Sequence, residues 1–125
     1  MSNNKTLSEF EWQIMKILWN KKNASVRDVY DEIIKEQERA YTTVQTYMER
    51  LVGKNFLQKE KVGAINQYSP VIHEEEVRNS ETKSLMKKVF DGSVSKMAAF
   101  LFDVDNVSEQ DLKKIKSMLK EKDDE

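Results

Sequence analysis

Before its single proline, Pro70, the chain lays down three short apolar stripes at helical spacing and then switches to strand-like texture around Gly63. Ser8 followed by Glu11 forms the signature of a capping box, and Trp12, Met15, Leu18 and Trp19 follow at the spacing of one helix face. The polar run Asn20 to Asn23 ends that helix. Ser25 is placed to cap a second one, predicted to run through Lys35 with Val26, Val29, Tyr30, Ile33 and Ile34 apolar. A third is predicted from Tyr41 to Lys54, turning Val44, Met48, Leu51 and Val52 inward. Phe56 to Lys61 and Asn66 to Pro70 then read as two short strands joined through Val62-Gly63-Ala64-Ile65. Helix, helix, helix, hairpin is the order of a winged helix-turn-helix domain.

Beyond Pro70 the pattern is helical again. One helix is predicted from His73 to Phe90, with glutamates in its first turn to suit the helix dipole and Gly92 at its end. A second carries Val94, Met97, Ala98, Leu101 and Phe102, and a third opens at Ser108 with Asp111 and carries Leu112, Ile115, Met118 and Leu119. The expected architecture is therefore mainly α: a winged helix-turn-helix domain of three helices plus a β-hairpin wing over residues 1–71, and a helical dimerisation domain over 72–125. Three glycines and one proline in 125 residues agree with a helix-rich chain.

The residue inventory narrows the chemistry. The chain has no cysteine, which excludes disulfides, thiolate nucleophiles and cysteine-based metal sites. His73 is the sole histidine. It lies beside Glu74, Glu75 and Glu76, so a metal-dependent hydrolase can be drawn there, against a capping or solvated role for the same side chain. Ser93 and Ser95 have no triad partner in view, and Asp103 with Asp105 falls in an expected loop. No catalytic residue, metal site or cofactor is expected, and the chain is read as not an enzyme. The opening residues lack a basic segment followed by an apolar run, and no stretch reaches the roughly 18 apolar residues of a membrane span, which points to the cytoplasm.

Charge and side-chain chemistry place the candidate function on the first half. The net charge is −1, but residues 1–70 carry eleven Lys/Arg against nine Asp/Glu, and residues 71–125 carry ten against thirteen. A polyanion would meet the first half. Subtracting the inward face of the third helix leaves Tyr41, Thr42, Thr43, Gln45, Thr46, Glu49 and Arg50 outward. Gln can bond adenine at two places, Thr can meet a base, a phosphate or a thymine methyl, and Arg can hold a phosphate. A solvated helix face is the plainer alternative, although such faces favour Lys/Glu pairs. Lys59 and Lys61 flank the hairpin turn as a wing on the phosphate backbone, or else as edge-strand charges that block sheet-to-sheet pairing. Leu85, Val89, Phe90, Met97, Leu101, Phe102, Leu112, Ile115 and Met118 form a large apolar set, which a second copy of the chain would cover unless these helices fold back on the winged helix. A winged-helix protein-interaction module, whose third helix grips a partner protein instead of DNA, is the competing reading.

EFEWQIMKILW, ASVRDVYDEI, AYTTVQTYMERLVGKNFL, INQYSPVIHEEE and FDGS, taken in order, resemble the penicillinase repressor family, the BlaI/MecI/CopY transcriptional regulators. The resemblance covers nearly the whole chain. It implies a homodimeric repressor that binds a palindromic operator through the winged helix and pairs through the carboxy-terminal helices, with the recognition positions on Thr42, Thr43, Gln45 and Thr46. Gln45 stands where well-known members carry a basic residue, and Ala40-Tyr41 where they begin the helix with Ser-Pro, which implies a different operator sequence. The paired cysteines of copper-responsive members have no counterpart. In β-lactam-responsive members induction involves proteolysis at an Asn-Phe bond, with a membrane-bound sensor protease as partner; the aligned position here is Ala99-Phe100.

Overall fold

The computed structural model describes residues 6–103, 108–114 and 117. Its elements are α1 (Glu9–Lys21), α2 (Val26–Ile33), α3 (Tyr41–Gly53), β1 (Leu57–Val62), β2 (Ile65–Pro70), α4 (Glu74–Phe90) and α5 (Val94–Asp103). The chain divides into two compact units, Met1–Glu81 and Thr82–Glu125.

In the first unit, local chemistry starts each of the first two helices. The Ser8 hydroxyl accepts from the Glu11 amide at 3.2 Å, while the Glu11 carboxylate accepts from the Ser8 amide at 2.8 Å. Ser25 and Asp28 repeat the arrangement at 3.1 and 3.2 Å. Two orphan amides at each helix start thus find partners. α2 stops at Ile33, short of the expected Lys35, because the chain tightens into turns from Lys35 N–H to Glu32 C=O and from Glu36 N–H to Ile33 C=O. Ile34, expected on the apolar face, is consequently 43% exposed. α1 contributes Phe10, Ile14, Met15 and Leu18 to the core, α2 Val26, Val29 and Ile33, and α3 Val44, Met48 and Leu51. Val52 is only partly buried.

Asn55 takes a left-handed φ of 66°, and the Phe56 amide reaches back to the Leu51 carbonyl at 2.9 Å. This closes α3 and drops Phe56 and Leu57 straight into the core. β1 and β2 pair antiparallel in the register Leu57↔Pro70, Gln58↔Ser69, Lys59↔Tyr68, Glu60↔Gln67, Lys61↔Asn66 and Val62↔Ile65. Gly63 holds φ 65° at the first of the two linking positions, where a side chain would be strained. Ala24 and Tyr68 exchange backbone hydrogen bonds at 2.9 and 2.8 Å, so the hairpin is also sewn to the start of α2.

The first unit extends past the hairpin. Trp19 donates its indole N–H to the Ile72 carbonyl at 2.9 Å, and Val77 of α4 is fully buried. Glu81 accepts from the Leu7 amide at 3.0 Å and from the Trp12 indole. These interactions carry the division of the chain to Glu81, beyond the expected boundary at residue 71.

In the second unit, Asp91 and Gly92 turn left-handed at φ 54° and 77°, and the Gly92 amide bonds the Met86 carbonyl at 2.9 Å, ending α4. The rings of Phe90 and Phe100 meet at 5.7 Å, yet α5 contains no buried residue. Ser108 caps a further helical stretch over residues 109–114 by accepting from the Asp111 amide at 3.1 Å.

Candidate nucleic-acid interface

α3 is fixed by its buried Val44, Met48 and Leu51, which leaves the opposite face to solvent. Thr42, Gln45, Thr46, Glu49 and Arg50 recur at the three- and four-residue spacing of one helix stripe, and all but Glu49 are exposed. Tyr41, at the start of the helix, is exposed and packs edge-on against Tyr30 at 5.4 Å between ring centres. Thr43 lies at the margin of the stripe and is half-buried. Arg50 lays its guanidinium over the Tyr47 ring at 4.8 Å, which restrains a long cation without neutralising it. Unlike α1 and α2, α3 has no side-chain cap: Ala40 occupies that position, so the positive end of the helix carries no built-in acceptor side chain.

The hairpin lies against the second half of this stripe. Leu57, Lys59 and Lys61 share one sheet face with Pro70, Tyr68 and Asn66, and the same face buries Leu57 and Tyr68. Lys59 is not a free wing cation. Its ammonium donates to both Glu49 carboxylate oxygens at 2.9 and 3.0 Å, and the Tyr68 hydroxyl donates to the same carboxylate. The Tyr68 hydrogen bond first, and the Lys59 hydrogen bond next, hold the Glu49 carboxyl below the ordinary carboxylate range. Burial and the same carboxylate push the Tyr68 phenol up. Lys61, directly across from Asn66, is exposed.

Sequence reasoning misses part of this surface. Periodicity places Glu49 on the outward face, where the hairpin meets it and leaves it half-buried. Arg39 stacks over Phe10 at 4.4 Å, just before α3, and Arg27 lies over the Tyr30 ring at 5.7 Å. Neither arginine stands out in the sequence, because Arg39 follows Glu36, Gln37 and Glu38 and Arg27 is followed by Asp28 and Asp31. Among the described residues no group of three or more His, Asp or Glu side chains is placed to hold a metal ion.

The profile of the penicillinase repressor family matches residues 7–121. The chain belongs to the penicillinase repressor family. It is 27% identical over 121 residues to the methicillin resistance regulatory protein MecI of Staphylococcus aureus strain N315, an alignment covering 95% of this chain and 98% of that one. Among solved structures it is similar to the DNA-binding domain of the repressor BlaI, with a TM-score of 0.52 at 30% identity, covering 56% of this chain and 85% of that one. The Bacillus licheniformis BlaI monomeric form, solved in complex with the blaP half-operator, matches at a TM-score of 0.50 with the same identity and coverage. The first unit is thus similar to the DNA-binding domain of BlaI, and the Glu49 pairing lies between its third helix and its wing.

The apolar set expected to pair two chains falls on the second unit. Leu85, Val89 and Phe102 are exposed, and Phe90, Met97, Leu101 and Leu112 are partly buried. Ile115 and Met118 lie outside the described residues. Ala99 and Phe100 are both exposed, within α5. Among the described residues no helix is long and apolar enough to cross a membrane.

Proposed function

We propose that this protein is a cytoplasmic transcriptional repressor, not an enzyme, which binds double-stranded operator DNA through α3 and the hairpin wing. The observation that carries the reading is the exposed Thr42, Gln45 and Thr46 stripe on the third helix of a domain that resembles one solved on a half-operator. A recognition helix enters the major groove with its first turns, which is where these side chains stand. Thr43 and Tyr41 border the groove-facing stripe, Arg50 approaches a phosphate farther along, and Lys61 extends the binding surface from the wing.

The same reading makes the protein a homodimer on a palindromic operator. Leu85, Val89, Phe100 and Phe102 are exposed apolar side chains of the second unit, which a twofold partner would help to cover. Two half-sites then bind as one unit, which raises affinity without any new bond to the bases. Relief by a sensor protease cleaving at Ala99-Phe100 fits this scheme, since severing α5 would remove part of the pairing surface. Such a protease must first unwind the helix there.

The test is selection of duplexes from a randomised pool by the full chain, followed by footprinting of the enriched sequence. A twofold-symmetric sequence protected at both halves supports the reading. Equal affinity for enriched and shuffled duplexes at about 0.15 M salt, a physiological ionic strength, overturns it.

A further inference from the structure

Winged-helix proteins that present lysines on the hairpin invite the view that each one meets a phosphate. The geometry here points elsewhere for one of the two. We infer that Lys59 and Glu49 are positioning residues, a clamp that fixes the wing against the recognition helix and stays closed on DNA, leaving Lys61 as the phosphate-binding lysine of β1. This rests on the DNA-binding reading above.

Four observations carry it. The Lys59 ammonium is shared between both oxygens of the Glu49 carboxylate, so its charge is already matched at 2.9 and 3.0 Å. Glu49 sits on α3 one turn beyond Gln45 and Thr46, on the same stripe, so whatever holds it also fixes the helix that reads the bases. Lys59 and Tyr68 are directly opposed across the hairpin, and the Tyr68 hydroxyl meets the same carboxylate, so a single rung of the wing is bound to α3 from both strands. Finally, Tyr68 is 1% exposed and bonded through its backbone to Ala24, which anchors that rung to the body of the domain. A phosphate competing for Lys59 would have to displace a carboxylate that two donors hold. Lys61 has the same type of side chain, faces the same side of the hairpin and is exposed.

The role separates the two lysines by measurement. The probe is the duplex that the full chain enriches from a randomised pool, with its affinity followed across salt concentration. Removing one lysine that neutralises a phosphate should flatten the slope of log affinity against log salt by about 0.9. Lys61→Ala should do so. Lys59→Ala should weaken binding about tenfold and leave the slope unchanged, and Lys59→Arg, which can still span the carboxylate, should restore most of the affinity. Glu49→Ala should weaken binding to a similar extent, with the double variant no worse than either single one. If instead Lys59 reaches DNA, Lys59→Ala flattens the slope, and Glu49→Ala frees the lysine and tightens binding; either result overturns the clamp. Should Glu49→Ala fail to fold, the Lys59 pair of variants decides alone. A wild-type chain that enriches no duplex removes the DNA-binding reading and this one with it, whereas enrichment followed by a flattened slope in Lys59→Ala removes only the clamp.

Discussion

Replacing Tyr68 by Phe isolates the hydroxyl that joins the hairpin to the recognition helix. The ring is 1% exposed and stays in place, so the apolar burial is unchanged. What disappears is one hydrogen bond to a carboxylate, worth about 1.5–3 kcal/mol when water is excluded. Glu49 and Lys59 are each 40% exposed, so water replaces part of it and the expected loss falls to about 1 kcal/mol. In urea, at fixed protein concentration, an m-value of about 1 kcal/mol/M for a small domain converts that into a midpoint shift of about 1 M. Trp12 and Trp19 both lie in the first unit and report its unfolding by fluorescence. The pH dependence adds a second readout. Because the folded-state carboxyl of Glu49 is held low, its contribution is present above the ordinary carboxylate pKa of about 4.3 and is lost as pH falls through the lower folded value. Tyr68→Phe should shrink that acid limb. An unchanged midpoint at neutral pH, or an acid limb identical to wild type, would refute the reasoning.

Glu11 is 5% exposed, and although burial raises its pKa, the Ser8 amide and the Lys54 ammonium at 3.1 Å outweigh that and hold it low. Glu11→Ala should therefore cost about 2 kcal/mol at pH 7, in urea melts, with the difference from wild type narrowing as pH falls below the ordinary carboxylate range. Val77→Ala should cost about 2 kcal/mol in the same melts, since a fully buried side chain of α4 then leaves a gap in the first unit; a loss under about 0.5 kcal/mol would show that α4 does not belong there. Val89 is 56% exposed, so Val89→Glu should leave the fold of one chain intact by circular dichroism and shift sedimentation from dimer to monomer. Continued sedimentation as a dimer would place the pairing surface elsewhere.

What can be read from the sequence is what is decided locally. Ser8 with Glu11, and Ser108 with Asp111, act over three residues, and the structure has both expected bonds at the first and the bond from the Asp111 amide to the Ser108 hydroxyl at the second. The fold order of the first unit is legible for the same reason, since each of its first three helices carries its own apolar face. Ile34 shows where periodicity fails: the apolar pattern continues for one residue after the backbone has left the helix. The extent of the first unit is hidden because Glu81 finds Leu7 and Trp12 across most of the domain, a meeting that no local pattern encodes. At the candidate interface, the exposure of Thr42, Gln45 and Thr46 is legible because the helix period of α3 alone sets it. The pairing of Glu49 with Lys59 is not, since the two lie ten residues apart and meet only when the hairpin folds back at Asn55.

The central claim is that the exposed stripe of α3 reads DNA sequence. The most direct measurement is fluorescence anisotropy of the full chain, at about 0.15 M salt, on the duplex it enriches and on a shuffled duplex of the same composition, repeated with Gln45→Ala and Thr46→Ala. Specific sites are bound about a thousandfold or more tighter than non-specific DNA, and that ratio is expected for the wild-type chain. Each variant should lower it by roughly 1–3 kcal/mol, about fivefold to more than a hundredfold, while affinity for the shuffled duplex changes little. A wild-type ratio near one, or a ratio that survives both substitutions intact, would contradict the account.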